Sequence, residues 1–525
     1  MNYSFKIPLF VASMALIAVV FAACTDHFED MNTPPTSVTE IDPNLVLTGV
    51  LRNDGIELGN YTWNQTRTVG SWAQHWSQVT GGDIMPDYYQ PDLRNEDSWW
   101  EWHYPNYLKN IDRVQALLLD ISEGDEMDRL VRSRLAIARI YEVRIWDRVT
   151  ASLGDVPFTE AIQGLELNTT PAYDPQEEIY PALLEQLSTN IDRLTDGDVS
   201  YGSADIIYGG DIDKWRRYGN TLLLRTALRV SNADPGMAEQ YATQAMNGDL
   251  ISNHDESAML TTENDVFGFQ SHPILAEYRT GFAQEAVLAE HLVETLTDLD
   301  DPRLTLIAEP TQDSKDAGCE ADPIAPDFTV CEYVGAPVNL PAGDYDALGP
   351  DQFSFPANAV WVDDGRANRM QVLHYAESLF LQAEAALRGW GGTRADAEVY
   401  FEQGVRAGLE IEPYSDFLTD EAQILAFVDQ HGTLSADDEE ALEQIMTHKW
   451  ISLFSQGSEA YFEWRRTGYP DLDPGPGTDG ITNGEIPRRL MYPRQERALN
   501  STNLDAAISN QGPDDYTTRM WIDPQ

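Results

Sequence analysis

Tyr88 and Tyr89 stand side by side between Pro86 and Pro91, with Asp87 and Asp92 as neighbours. Prolines at both ends and acids within keep such a segment out of regular structure, so its rings are hard to bury. Flat rings near carboxylates suit the binding of a sugar. The axial C–H face stacks on the ring, and the hydroxyls take acidic or amide partners. The same association recurs at Tyr345, between Asp344 and Asp346, and at Trp361, two residues before Asp363. Trp99 belongs to a run of eleven tyrosines and tryptophans from Tyr61 to Tyr107. Tyr88, Tyr89, Trp99, Tyr345, Trp361 and Asp363 are therefore the candidate ligand contacts, with packing as the competing reading for any single ring. Trp102, Tyr104 and Tyr107 open a helical pattern and read as core.

Covalent and metal chemistry find little footing. The sequence contains no HExxH, no GxSxG and no Walker loop. Gly475-Pro-Gly-Thr-Asp-Gly480 satisfies GxGxxG, but it lies in a proline- and aspartate-rich stretch with no strand before it, and reads as a turn. Glu459 and Glu463 lie one helical turn apart. In a chain with 87 acids such pairs arise by chance and read mostly as solvated faces. Asp298, Asp300 and Asp301, or Asp344 and Asp346, or Asp363 and Asp364, could hold calcium, yet none has the EF-hand spacing. The expectation is a chain that is not an enzyme and has no cofactor or catalytic metal.

The 525 residues carry 34 bases and 87 acids, a formal charge of −53. A field of that sign repels phosphate, so no nucleic-acid partner is expected. The 42% apolar and 10% aromatic content excludes a disordered acidic tail. Lys6 is the only charge before an apolar run from Ile7 to Ala23, and Cys24 follows. That pattern reads as a secretory signal over 1–23. Ala22-Ala23-Cys24 resembles a lipobox, with Phe21 where leucine is usual, so Cys24 is the expected lipid anchor. Loss of 1–23 removes one base and no acid, leaving −54. So acidic a surface suits a salty medium, where screening weakens self-repulsion. Residues 24–43 are polar and proline-bearing and read as a flexible tether. Cys319 and Cys331, 12 apart in a proline-, glycine- and aspartate-rich loop of an exported chain, read as one local disulfide.

The residues from 44 to 525 read as one mainly α domain. Apolar positions recur at helical spacing over 105–121 and 128–148, 176–195 and 212–231, 236–247, 370–388 and 394–408, and then 420–430 and 436–456. Asp234-Pro235 supplies a cap followed by proline at the first helical position. Tandem helix pairs suggest a tetratricopeptide-like array in which each pair buries its face on the next. The scaffold should occupy about 44–250 and 365–460. A loop-rich insertion with short strands spans about 250–365, and an irregular segment closes the chain over 461–525. Long excursions from a rigid scaffold often carry ligand sites.

Several segments together carry a resemblance. They are DHFEDMNTPP at Asp26–Pro35, LGDVPFTEA at Leu153–Ala161 and WRRYGNTLLLRTALRVS at Trp215–Ser231. DPRL at Asp301–Leu304, YAESLFLQAEAALRGWG at Tyr375–Gly391 and HKWISLFSQGSEAYFEWRRTGYP at His448–Pro470 follow, with IPRRLMYP at Ile486–Pro493 and the ending through Gly512 to Trp521. These resemble the SusD/RagB-type outer-membrane lipoproteins, in the SusD-like 2 branch. The resemblance implies four tetratricopeptide-like helix pairs below an irregular ligand-facing half. It implies a lipoprotein exposed at the cell surface, which fits Asp26, Glu29 and Asp30 just after Cys24. It further implies a non-catalytic lid on a SusC-like TonB-dependent transporter barrel, capturing oligosaccharide and passing it on. The same role for peptides is an alternative, and a surface glycoside hydrolase a more distant one. The quoted segments are mostly scaffold, so Trp390, Trp450, Trp464 and Trp521 are expected to pack.

Overall fold

The computed structural model describes residues 41–56, 68–78, 93–163, 168–262, 272, 274, 286–320, 322–324, 326–340, 344, 348–361, 369–477 and 481–523. Helices dominate. α1 (Pro43–Ile56) precedes α2 (Lys109–Ile121) and α3 (Arg132–Leu153), which pack together. α4 (Gln176–Arg193), α5 (Ile212–Arg229) and α6 (Pro235–Met246) extend the array, with α5 against α3, α4 and α6. α7 (Glu290–Asp298) and α8 (Leu304–Ile307) are short helices of the insertion. α9 (Tyr375–Leu387) and α10 (Arg394–Leu409) return to the scaffold, where α9 packs on α5 and α6. α11 (Glu421–His431), α12 (Asp438–Ser452) and α13 (Gly457–Thr467) complete it. The expected pairs are all present. Among the described residues no helix is long and apolar enough to cross a membrane.

Local chemistry sets the ends. Asp234 accepts a hydrogen bond from the Met237 amide and Pro235 begins α6, as its sequence predicts. Thr393 and Asp396 cap α10 reciprocally. Two regions differ from expectation. The closing segment, expected to be irregular, holds helices over Arg494–Leu499 and Ser501–Gln511. Helix begins at Leu93 rather than near 105, and passes Pro105 through a π-helical segment, Trp102–Leu108. Proline has no N–H and its ring would clash in a regular turn, so the wider turn lets the helix continue.

The interior contains an ionic spine as well as apolar side chains. Arg229 of α5 reaches Glu459 at 2.6 Å and Glu463 at 3.3 Å on α13, and Asp147 of α3 at 3.4 Å. Lys449 of α12 meets Glu463 at 2.8 Å, and Arg466 joins Glu463 to Glu384 of α9, each at 2.6 Å. All these residues are buried. Glu459 and Glu463 are thus not a solvated face. Burial alone would raise the Glu459 carboxyl, but Arg225 and Arg229 hold it down at about 2.

The insertion is built on two short antiparallel sheets. β1 (Trp76–Gln78) pairs with β3 (Ala286–Leu288), Ser77 opposite Val287. β2 (Ala258–Thr261) pairs with β4 (Arg369–Leu373), Leu260 opposite Met370. Backbone bonds carry the first sheet onward: Leu288 N–H donates to Ser354 O, Ser354 N–H to Val334 O, and Ala336 N–H to Leu288 O. Gly335 is required there, because the Ala289 carbonyl oxygen lies 2.3 Å from where a Cβ would sit.

Candidate functional site

The structure separates the predicted contacts. Tyr88, Tyr89, Tyr345, Asp363 and the expected lipid anchor Cys24 lie outside the described residues. Trp99 and Trp361 are core residues. Trp99 is 1% exposed and stacks on His103, with ring centroids 4.4 Å apart. Trp361 is 2% exposed; its indole N–H donates to Leu306 O at 3.0 Å, and its ring meets His272, Tyr414 and Phe454. Neither presents a face for a sugar to stack on. An acidic neighbour in sequence does not expose the ring: the short helix Asn358–Trp361 turns the indole inward although Asp363 follows closely in sequence.

The tryptophans and tyrosines expected to pack do so. Trp450 donates to Ala73 O at 2.8 Å, and Trp464 lies under the Arg488 guanidinium. Tyr107 is fully buried, Tyr104 is buried and donates to Pro157 O, and Trp102 is half-buried against the core. Arg489 is buried against Asp514, which Arg497 also contacts, and Arg494 pairs with Asp97. The densest basic run is therefore engaged in structural contacts.

Cys319 and Cys331 form the expected disulfide, with Cα atoms 5.0 Å apart. It closes a loop tied to the rest of the insertion by Thr305, whose hydroxyl donates to Pro323 O at 2.7 Å, and by the Thr311 amide, which donates to Glu332 O at 2.9 Å. The loop forms one wall of a cleft of about 410 Å³. That volume falls in the roughly 300–1,000 Å³ range of small-molecule sites. The opposite walls are the end of α7 with α8, and the segment from Phe417 to Gln423 that leads into α11. Leu296, Leu304 and Phe417 make an apolar floor.

At the mouth, Phe328 is 62% exposed and Ile324 68% exposed, which is costly for large apolar groups unless something covers them. The Phe328 ring lies 5.9 Å from that of Tyr333. Burial, with Glu309 and Asp322 nearby, pushes the Tyr333 hydroxyl up to about 12, so it stays neutral. Thr297, Asp300 and Gln423 are exposed polar lining groups. Asp301 faces the same cleft but is committed: Arg303 clasps it with Nη2 at 2.6 Å, and both are buried. Among the described residues no three His, Cys, Asp or Glu side chains gather into a metal-holding group.

Phe328, Tyr333 and Gln423 were not singled out by sequence, and Asp300 was marked only as a possible calcium ligand. Cys319 and Cys331 bracket Phe328, and a stapled, proline-rich loop with a large apolar residue inside it was the available signal. The cleft offers an apolar floor, an exposed ring at the mouth, neutral hydrogen-bonding groups and, beside the committed Asp301, the carboxylate of Asp300.

The fold has solved counterparts. A chitin-binding protein is similar at 27% identity and TM-score 0.78, over 92% of this chain and 100% of that one. A SusD homologue from Bacteroides fragilis aligns at 25% identity and TM-score 0.75, with the same coverage. A chitin-binding SusD homologue from Flavobacterium johnsoniae aligns at 24% identity and TM-score 0.72, over 92% and 97% of the two chains. No curated protein matches the sequence. Residues 35–493 match a family described as starch-binding and associating with the outer membrane, and on that span, with its helix-pair scaffold, the chain belongs to the SusD-like 2 family.

Proposed function

We propose that the chain is a non-catalytic, cell-surface lipoprotein, anchored through lipid on Cys24, that captures oligosaccharide and delivers it to a SusC-like TonB-dependent transporter as its lid. The family match over residues 35–493 carries this reading. The 27% identical chitin-binding protein adds a relative of the same fold that holds a polysaccharide. The cleft agrees with binding rather than hydrolysis. A glycosidase needs two carboxylates set across a bond, and of the two acids in this lining Asp301 is already held by Arg303.

Affinity electrophoresis through gels containing a panel of polysaccharides tests the capture role. Retardation by at least one polysaccharide that emerges undegraded is the expected result; shorter products would replace this reading with a hydrolase. Cys24→Ala should release the protein from the membrane fraction. A TonB-dependent barrel should co-purify with the native protein from outer membranes, and its absence would remove the transporter from the proposal.

A further inference from the structure

The cleft beside the disulfide loop is selective in its chemistry. Its described lining contains no lysine, arginine or histidine. A uronic or sulfated sugar would bring its charge to Asp300 with no cation to answer it. The floor of Leu296, Leu304 and Phe417 is apolar and buried. An unsubstituted hexose could stack its C–H face on Phe328 and hydrogen-bond the polar lining, yet it has no apolar substituent to set against that floor. A free amino sugar is drawn to Asp300 and to a chain of −53, but its ammonium would have to desolvate against the same side chains.

Among these sugars one class matches each part of the lining. An acetamido group has a methyl for the floor, an N–H for a carboxylate and a carbonyl for an amide donor. Asp300 has no side-chain partner among the described residues, and the Gln423 side chain is exposed at the same cleft. We infer that this cleft binds an N-acylated amino-sugar unit, with Phe328 stacking on the ring, Asp300 accepting from the amide N–H and Gln423 donating to the acyl oxygen. The inference rests on the oligosaccharide-capture reading and narrows it to a substrate class and a place.

The test is isothermal calorimetry on the purified chain with three β-1,4-linked pentamers: N-acetylglucosamine, its fully de-N-acetylated counterpart, and glucose. The acetylated pentamer should bind at least roughly ten-fold tighter than either of the others, the equivalent of about 1.4 kcal/mol. Phe328→Ala should weaken it by a similar factor with an unchanged melting temperature, and Asp300→Asn or Gln423→Ala by a few-fold. Equal binding of the glucose pentamer would overturn the substrate class while leaving glycan capture standing. Tighter binding of the de-N-acetylated pentamer would overturn it in favour of bulk charge. Acetylated-pentamer affinity unaltered by Phe328→Ala and Gln423→Ala alike would overturn the cleft as the site. Failure of all three pentamers overturns the inference; the capture reading falls as well only if the polysaccharide panel is also negative.

Discussion

Arg225 and Glu377 meet inside the helix array through two parallel hydrogen bonds, Nε to Oε1 at 2.8 Å and Nη2 to Oε2 at 2.7 Å. Each side chain is 1% exposed. The pair locks α5 to α9 across 152 residues of sequence, so it joins the two halves of the scaffold that the insertion separates. Removing Glu377 takes both short hydrogen bonds from the buried Arg225 and leaves it only the longer contact to Glu459, at 3.5 Å. Glu377→Ala should therefore cost about 3–5 kcal/mol, whereas replacing both residues with apolar groups of similar volume should cost far less. Chemical denaturation of the two single variants and the double variant measures the difference. Equal losses in single and double variants would show that the pair is not an energetic unit.

Trp361→Ala should act on stability before binding. The ring fills a site between His272, Tyr414 and Phe454, and its N–H holds Leu306 O. Loss of a buried indole costs about 3–5 kcal/mol. Phe328→Ala removes a ring that is 62% exposed and should leave the denaturation midpoint within error. The contrast, read from paired denaturation curves, separates a core ring from a cleft ring.

Legibility in the sequence followed range of interaction. The helix pairs were readable because a 3.6-residue period is a local signal, and the α6 cap because Asp234-Pro235 is a local motif. The π-helical passage over Pro105 was not, because proline announces a break and not how the chain gets past it. Glu459 and Glu463 have the spacing of any solvated acidic face. Only the fold, by bringing Arg225, Arg229, Lys449 and Arg466 to them, reveals an ionic core. The cleft was hidden for the same reason: its walls come from near 300, 328 and 420, and no pattern within one segment announces the others.

Acid should destabilise the protein earlier than its carboxylates alone would dictate. Burial holds His75, His103, His272, His374 and His448 neutral, each lowered to about 3; Arg148 adds to this at His103, Arg225 at His374 and Arg303 at His448. In the unfolded chain a histidine takes up a proton below about pH 6.5. Above that pH these sites contribute nothing to the pH dependence. From about 6.5 down toward 3 the unfolded state binds more protons and stability falls, by about 1.4 kcal/mol per pH unit for each such site. Glu459, held near 2, adds a loss of the same sign as pH falls from about 4.5 through 2. Melting curves between pH 8 and pH 4 should show a decline that sets in near pH 6. A flat profile down to pH 4.5 would contradict the buried-neutral assignment.

Reduction of Cys319–Cys331 should loosen the loop that walls the cleft. Closing a loop of this size is worth about 3 kcal/mol of ordering. The covalent bond supplements the two tethers at Thr305 and Thr311. The Cys319→Ser, Cys331→Ser double variant should keep the far-ultraviolet helical spectrum, become sensitive to proteolysis within 320–330, and lose affinity for whichever glycan the wild type retains. Retention of affinity together with protease sensitivity would show that the stapled loop is not a binding wall.

The acidic surplus makes the last prediction. Among the described residues the core takes in ten bases and twelve acids. The bases and acids buried there nearly balance, so the core absorbs little of the acidic surplus of 34 bases against 87 acids. Like charges spread over one surface repel, and the compact state suffers more than the expanded one. Screening shortens that repulsion from about 30 Å at 0.01 M salt to about 3 Å at 1 M. The internal ion pairs are shielded from solvent and respond weakly. Net stability should therefore rise with sodium chloride over that range, opposite to a fold held by surface salt bridges. Melting temperature against ionic strength at constant pH 7.5 reads this directly. An unchanged or falling melting temperature would mean that the surface charge is already balanced locally, and would remove the physical basis for a salt-adapted exterior.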